Sequence, residues 1–249
     1  MAELAGKKAM VVGGSRGFGR GIAESLLAAG AAVHVLGRNA QSLAELERAS
    51  GGRIRTAAGD AADPTVCARL LKEVRPDIVV LVAGATPQLE PIQHHTWESF
   101  SINWTSDVKI VFQWLREILR APLPSGSQVV AMSSGAALRG SPLSGGYAGA
   151  KATVRFIAQY AAEESSRAKL GIRITSLLPQ LSPATDLGRP AVAAYARRAG
   201  RTEEQFLAQM GPPLTPTLVG AAVVRLLTDR SLEAHAAFSL DADGLKPLT

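Results

Sequence analysis

The feature of this 249-residue chain that most limits its fold is the alternation of short apolar runs with longer helical patterns. The runs show little polar alternation, which is typical of strands buried on both faces of a parallel sheet. Parallel neighbours need crossover connections, and these place helices on both faces of the sheet. We therefore predict an α/β fold with a doubly wound parallel sheet of about seven strands. The predicted strands are Ala9–Val12, Val33–Leu36, Ile54–Ala58, Ile78–Val82, Val129–Met132, Ile172–Leu178 and Ala237–Leu240.

Six helical patterns lie between these runs, and we predict a single domain over residues 1–249. Asp63 followed by Pro64 is a typical helix start, an N-cap ahead of a first-turn proline. Residues 182–216, rich in Pro, Arg and Ala, interrupt the alternation; we predict an insertion over the site, helical around Ala191–Arg198 and Glu203–Met210. The six predicted helices are Gly17–Ala29, Gln41–Ser50, Pro64–Val74, Trp97–Leu119, Tyr147–Ser166 and Thr217–Leu227.

The composition narrows the classes of protein to which the chain can belong. A formal charge of +6 could attract phosphorylated cofactors or acidic partners. The chain has no basic run interleaved with aromatic residues, so we do not expect it to bind nucleic acid. The single Cys67 excludes an intramolecular disulfide. No window approaches eighteen uninterrupted apolar residues, and Met1 to Lys8 lack the pattern of a targeting segment, so we expect a cytoplasmic protein without membrane association. His94 and His95 have no third ligand at a metal-binding spacing, and we predict no metal site.

A glycine-rich turn follows the first predicted strand directly and leads into the first helix. Its sequence is Gly13-Gly-Ser-Arg-Gly-Phe-Gly19. Glycines at positions 13, 17 and 19 allow a tight turn and close backbone approach, so that a pyrophosphate can lie against the helix N-terminus. Such a turn is weak evidence alone and strong evidence between the first strand and helix of a parallel sheet. It predicts a Rossmann-type domain that binds a dinucleotide.

The end of the second strand bears on the choice of dinucleotide. An NAD-selective site usually has a carboxylate there, whereas a 2′-phosphate needs a cation. Here the sequence is Val35-Leu-Gly-Arg38-Asn, and Arg16 of the glycine turn could reach the same phosphate. We therefore predict NADP(H), although Arg38 could also be a solvated loop residue. Asp60, after the third strand, could accept a hydrogen bond from the adenine amino group or could be an ordinary turn residue.

Three further residues suggest proton transfer to or from a hydroxyl. Tyr147 and Lys151 stand four residues apart, so on a helix they share one face. The Lys151 ammonium would then favour the phenolate electrostatically and make the tyrosine a usable acid or base. Ser134, thirteen residues before Tyr147 at the end of a strand, could hydrogen-bond the same substrate oxygen. A tyrosine and a lysine at this spacing also recur by chance, so the prediction depends on the rest of the chain.

With the glycine turn, Ser134, Tyr147 and Lys151 together, the chain resembles the short-chain dehydrogenase/reductase family over essentially its whole length. The resemblance is to NADP(H)-dependent ketoreductases of that family. It implies that Asn103 distorts its helix and holds a water linking Lys151 to solvent; without the other motifs, Asn103 would read as a polar residue on a helix face. It also implies cofactor contacts at Ala83-Gly84 and around Pro179, and association into homodimers or homotetramers. The predicted catalytic residues are thus Asn103, Ser134, Tyr147 and Lys151, and the predicted cofactor-binding residues are Gly13, Ser15, Arg16, Gly17, Phe18, Gly19, Arg38, Asp60, Ala61, Ala83, Gly84, Tyr147, Lys151 and Pro179.

The chain departs from the family pattern at several positions. Val12 replaces a threonine, Val82 replaces an asparagine of the motif Asn-Ala-Gly, and Gln180 replaces a glycine. Thr185 lies one residue farther from Pro179 than the family's carboxamide-binding threonine, so we expect a reshaped nicotinamide pocket. The predicted activity is reduction of a ketone or aldehyde to an alcohol, or the reverse, on a small-molecule substrate. A silent NADP(H)-sensing or scaffold protein, imine reduction and dehydration remain open alternatives.

Overall fold

The sheet in the computed structural model, which describes residues 3–248, has eight strands in the order β3-β2-β1-β4-β5-β6-β7-β8. Strands β1 to β7 are parallel, which confirms the predicted doubly wound α/β class, and β8 pairs antiparallel with β7. Strand β8 was not predicted, because its Lys and Pro residues obscure its strand pattern. Pro247 is tolerated because β8 is an edge strand. The strands are β1 Lys8–Val12, β2 Ala32–Gly37, β3 Ile54–Ala58, β4 Ile78–Leu81, β5 Gln128–Met132, β6 Arg173–Pro179, β7 Ala237–Asp241 and β8 Gly244–Leu248.

Helices cover both faces of this sheet. The predicted helix Trp97–Leu119 spans Trp97–Arg120, and a π-helical turn at Trp104–Val108 divides it into α4 and α5, next to the distortion that the family resemblance implies at Asn103. The other five helices lie within two residues of their predicted bounds, and the short α6 was not predicted. The helices are α1 Gly17–Ala28, α2 Ala40–Ala49, α3 Pro64–Val74, α4 Trp97–Asn103, α5 Lys109–Arg120, α6 Ala136–Arg139, α7 Tyr147–Arg167, α8 Gly188–Arg198, α9 Glu203–Leu207 and α10 Pro216–Thr228.

Two apolar cores fill the spaces between the sheet and its helices. On one face Ile22 of α1 and Val223 of α10 pack against the sheet and are fully buried. On the other face Trp114 of α5 and Val154 of α7 do the same. Because helices cover both faces of the sheet, a ligand-binding site can form only at the ends of the strands. The strand order reverses between β1 and β4, and ligands of such sheets bind in the crevice outside the carboxyl ends at this point.

The segment 182–216 contributes α8 and α9 beside this crevice. The rings of Tyr195 in α8 and Phe206 in α9 stack with centroids 6.4 Å apart, which holds the two helices together. The hydroxyl groups of Tyr195 and Ser141 are hydrogen-bonded, so the segment is also tied to the connection between β5 and α7. The predicted helix Glu203–Met210 is shorter than expected, since α9 ends at Leu207 and turns follow.

Candidate active site

A cavity of about 1200 Å³ lies at the carboxyl ends of the central strands. Its wall runs from the glycine turn after β1, past the end of β5 and the start of α7, to α8. This volume exceeds the roughly 300–1,000 Å³ of a typical small-molecule site, so a dinucleotide and a second molecule can share it. All fourteen predicted cofactor residues and three of the four predicted catalytic residues line the cavity, while Asn103 lies behind its wall.

The glycine turn is shaped by approaches that side chains would block. Gly13 has φ +91°, and a Cβ there would lie 2.6 Å from the Ala83 backbone nitrogen. A Cβ at Gly19 would strike the Gly13 carbonyl oxygen. The backbone nitrogen of Gly13 donates to the Leu36 carbonyl at 2.8 Å. Helix α1 then begins without a side-chain cap, so its first-turn amides face the cavity as a ready anion site.

Backbone hydrogen bonds join the chain at Val12 and Val82, where the family has a threonine and an asparagine. The Val12 carbonyl accepts hydrogen bonds from the amides of Val82, at 2.9 Å, and of Ala83, at 2.8 Å. Both bonds join β1 to the segment after β4, where the sheet order reverses. The departures from the family pattern therefore leave the Ala83-Gly84 turn fixed beside the glycine turn.

At the far end of the cavity, two exposed arginines lie on neighbouring turns. Arg38 follows β2 and makes no side-chain hydrogen bond or ion pair with another residue of the stretch 3–248. Arg16 faces Asp186 of the 182–216 segment at 3.6 Å, with both side chains more than half exposed. Such an exposed pair contributes little to stability. Both cations are thus accessible to an anionic ligand, and Asp186 competes for one of them.

Asp60 and Ala61 form a turn that borders the same end of the cavity. The Asp60 carboxylate accepts from the Ala62 amide at 2.9 Å, which is the turn role considered for it from sequence. The buried indole of Trp114 donates to the Ala61 carbonyl at 3.0 Å and fixes the turn from below. Asp60 is exposed and keeps acceptor capacity toward the cavity.

Tyr147 and Lys151 lie on the first two turns of α7, at the centre of the cavity wall. The Lys151 ammonium is 5.7 Å from the centroid of the Tyr147 ring. The preceding Gly146 donates its amide to the Phe100 carbonyl at 2.9 Å, and a Cβ on Gly146 would lie 2.5 Å from that oxygen. Glycine is therefore needed to seat the start of α7 against α4, which fixes the Tyr147 side chain at the cavity.

The two serines after β5 have different surroundings. Ser134 lines the cavity, half-buried, and its hydroxyl accepts from the Ala136 amide at 3.2 Å. Its own hydrogen remains available for a ligand oxygen. Ser133 is buried and donates to the backbone carbonyl of Lys151 at 2.7 Å, which ties β5 to α7. The structure thus brings Ser134, Tyr147 and Lys151 to one cavity, as the sequence predicted.

Asn103 is fully buried at the end of α4, where the π-helical turn begins. π-Helical turns are rare overall, and those that occur are frequently at functional sites. The Asn103 side-chain amide donates to the Ala85 carbonyl at 2.8 Å and to the Asp107 carboxylate at 3.2 Å. Its Oδ1 is buried and has no partner within the described chain, so an acceptor remains for a water or a ligand group.

Asp107, which the sequence analysis did not consider, is the buried counter-ion of Lys151. Its carboxylate lies 3.0 Å from the Lys151 ammonium, with 2% of the aspartate side chain exposed. It also accepts from the Ala85 amide at 2.8 Å, and Lys151 donates its second hydrogen bond to the Met132 carbonyl at 3.2 Å. The available signal was an acid four residues after Asn103, a spacing that puts both side chains on one face of the predicted helix.

This environment affects the protonation of Lys151. Burial by itself lowers the pKa of the ammonium, but the charges of Asp107 and Tyr147 and the hydrogen bond to Asp107 together raise that pKa above the ordinary 10.5. Lys151 is therefore a cation at neutral pH despite its burial.

The last part of the cavity lies at the end of β6. The Pro179 carbonyl accepts from the Gly135 amide at 2.9 Å, which joins the ends of β5 and β6. The Thr185 hydroxyl accepts from the Gly188 amide at 3.0 Å and donates to the Ser182 carbonyl at 3.3 Å, so it stabilises the start of α8. Thr185 still borders the cavity, but its hydroxyl is already engaged.

Two further features of the structure concern metal binding and the crossing of a membrane. Among residues 3–248, no three His, Cys, Asp or Glu side chains group as a metal site, and the His95 ring bonds the Glu90 carbonyl and the Ser99 hydroxyl instead. Over the same range, no helix has the length and apolar character needed to cross a membrane.

Comparison with known proteins shows which family of enzymes this chain is similar to. A family model described as short chain dehydrogenase matches residues 7–195. A short chain dehydrogenase/reductase of Macrophomina phaseolina is 31% identical over 151 residues, which are 55% of this chain and 86% of the relative. L-xylulose reductase of Bos taurus is 31% identical over 140 residues, 55% of this chain and only 57% of that enzyme. A 2,5-dichloro-2,5-cyclohexadiene-1,4-diol dehydrogenase of Sphingobium indicum is 30% identical over 186 residues, 72% of this chain and 74% of the relative.

Proposed function

The chain belongs to the short-chain dehydrogenase/reductase family, and we propose that it is an NADP(H)-dependent oxidoreductase that interconverts a carbonyl and an alcohol. The observation that carries the proposal is the Lys151 ammonium, 5.7 Å from the Tyr147 ring, in the cavity that also contains the glycine turn. A proton-transfer group and a dinucleotide cradle in one cavity are what hydride-transfer chemistry requires.

The residues present fit a dinucleotide. The glycine turn forms a cradle that a Cβ at Gly13 would fill, and the uncapped start of α1 offers its amides to a pyrophosphate. Arg16 and Arg38 would hold a 2′-phosphate, and Lys151 would hold the nicotinamide ribose. When bound, a nicotinamide cofactor supplies or accepts the hydride.

The chain's own residues would handle the substrate oxygen. Ser134 would donate a hydrogen bond to a carbonyl oxygen and orient it. Tyr147 would donate its proton to the same oxygen as the carbonyl becomes an alkoxide, and Lys151 would stabilise the phenolate that remains. Asn103, through its free Oδ1, would help to hold the water that returns a proton to the site. The reverse reaction uses the same groups, with Tyr147 as the base.

A screen of ketones and aldehydes that follows NADPH absorbance tests this function directly. Loss of NADPH with a carbonyl substrate, absent in Tyr147→Phe, would support it. Tight NADPH binding without turnover on any member of the panel would favour a cofactor-sensing or scaffold protein, and NADPH consumption with imines alone would favour imine reduction. We also propose that the enzyme acts in the cytoplasm. Its substrate would be a small carbonyl compound or alcohol.

NADPH should bind at least tenfold more tightly than NADH. Two accessible arginines lie at the end of the cavity where we propose that the 2′-phosphate binds, and a hydrogen bond to a charged group contributes roughly 1.5–3 kcal/mol. Calorimetric titration of both cofactors measures the ratio, and Arg38→Asp should narrow or invert it. Arg48→Asp, an exposed change of equal charge on α2 outside the cavity, is the matched control and should preserve the ratio. Equal affinities in the unaltered chain would contradict the assignment.

The chain should form dimers or tetramers through α4, α5 and α7. Five aromatic side chains on these helices and on the π-helical turn between α4 and α5 are exposed, which an isolated chain has no packing reason to maintain. Light scattering should give at least twice the 26.0 kDa chain mass, and Phe156→Glu should lower that mass. Leu218→Glu, which changes an exposed residue of α10, is the control and should leave the mass unchanged. An oligomer that persists in Phe156→Glu but dissociates in Leu218→Glu would mean that the interface lies elsewhere. The exposed fractions are 72% for Trp97, 41% for Trp104, 50% for Phe112, 64% for Phe156 and 55% for Tyr160.

A further inference from the structure

A buried carboxylate with no role in the proposed mechanism lies against Lys151. Asp107 and Lys151 are 2% and 8% exposed at their side chains, and 3.0 Å separates the two charged groups. A buried ammonium without a partner is costly, because water no longer solvates its charge. A buried lysine either loses its proton or keeps a counter-ion, and here the structure supplies the counter-ion.

The surroundings hold the Asp107 carboxylate in one position. Its Oδ1 accepts from the Ala85 amide at 2.8 Å and from Asn103 at 3.2 Å, which leaves Oδ2 directed at Lys151. A Cβ on Gly84 would lie 2.5 Å from that Oδ2, so the glycine provides the space for the carboxylate. The turn after β4, the end of α4 and the π-helical turn thus together fix one charged atom.

We propose that Asp107 is a positioning residue that keeps Lys151 protonated and fixed between the Asp107 carboxylate and the Met132 carbonyl, beside Tyr147. The effect on turnover rests on the function proposed above, whereas the effect on Lys151 itself does not. Asn103 has a second task under this assignment, because its amide group holds the carboxylate that holds Lys151.

The groups that face Lys151 come from three elements. The π-helical turn contributes Asp107, α7 contributes Tyr147, and β5 contributes the neutral Met132 carbonyl; Ser133, just after β5, bonds only the Lys151 backbone carbonyl. Arg16 and Arg38 lie exposed at the far end of the cavity, and Arg139 of α6, which also lines the cavity, is exposed as well. Without the Asp107 charge, burial would therefore be the main influence on the pKa of Lys151, and burial lowers that pKa because it favours the neutral amine.

The test is an NMR titration of the lysine side chains in the cofactor-free protein, labelled at the lysine ε-carbon. The chain has seven lysines, and the signal that Lys151→Met lacks is that of Lys151. In the unaltered protein it should titrate above the lysines other than Lys246, whose own pKa is raised by its hydrogen bond to Asp241, and in Asp107→Asn its midpoint should fall by at least about one pH unit. Glu73→Gln, which removes the partner of Arg69 in an exposed ion pair, should leave the midpoint unchanged.

An unchanged midpoint in folded Asp107→Asn would overturn the proposal. Should that variant not fold, the unaltered protein decides the matter alone: a Lys151 midpoint below those of the exposed lysines other than Lys246 refutes the proposal, and one above them supports it. On a confirmed substrate, the alkaline limb of kcat/KM should move to lower pH in Asp107→Asn, which a purely structural loss would not cause. If the Lys151 midpoint shifts in Asp107→Asn but the unaltered protein does not bind NADPH, the role of Asp107 stands and the proposed function is refuted. If the unaltered protein turns over a carbonyl substrate but the midpoint does not shift, the proposed function stands and the role of Asp107 is refuted.

Discussion

Tyr147→Phe should lower turnover by roughly 10²–10⁴-fold or more while NADPH affinity stays within about twofold. The substitution removes one hydroxyl from the cavity wall and keeps the ring, so the packing of α7 against α4 should survive. In our mechanism that hydroxyl delivers the proton to the substrate oxygen, and no other titratable hydroxyl has been assigned this task. Steady-state kinetics on a confirmed carbonyl substrate, with a separate cofactor titration, measures both quantities.

Ser134→Ala is the companion experiment. It should keep cofactor affinity and lose most of the rate, because its hydroxyl orients the substrate and does not donate the transferred proton. Ser133→Ala provides a contrast: it removes a buried bond to the Lys151 carbonyl and should affect stability more than chemistry. Wild-type turnover in Tyr147→Phe would refute the tyrosine mechanism outright.

Lys151→Ala should damage cofactor binding, turnover and folding stability together. It deletes the cation that would hold the ribose, and it also leaves the Asp107 carboxylate buried without its partner. Breaking a buried ion pair costs about 3–5 kcal/mol, which lowers the melting temperature of a chain of this size by on the order of 10 °C. Calorimetric melting and NADPH titration of the same preparations measure these losses.

The double variant Lys151→Met/Asp107→Asn separates folding from chemistry. It removes both charges, so it should regain more than half of the lost stability and none of the activity. A double variant as unstable as Lys151→Ala would mean that the buried carboxylate is not the cause.

The same pair predicts a pH dependence of stability. The pKa of Lys151 in the folded chain is raised above the ordinary 10.5, so folding holds this proton more tightly than the unfolded chain does. The resulting stabilisation is complete well below pH 10.5 and is lost as pH rises through the raised value. The stability difference between the unaltered protein and the double variant should therefore narrow above that pH, as denaturant unfolding would show.

Local patterns in the sequence determined most of the fold. Short apolar runs between helical patterns were enough to place all seven parallel strands, because a strand buried on both faces needs little but apolar residues. The edge strand β8 escaped detection because it pairs on one side only and carries Lys246 and Pro247. The glycine turn, Ser134, Tyr147 and Lys151 were also readable, since each lies at a fixed point of a strand–turn–helix unit.

Tertiary structure alone decided what surrounds Lys151. Its counter-ion lies on another helix, and the π-helical turn that helps to bury Asp107 was expected only as the helix distortion at Asn103 that the family resemblance implies. Whether an acid on a helix is solvated or paired in the interior depends on what the fold places opposite it. Here Gly84 supplies the space and Ala85 the amide, and both come from the turn after β4. The sequence therefore determined which residues could perform the chemistry, and long-range packing decided the charge environment in which they would act.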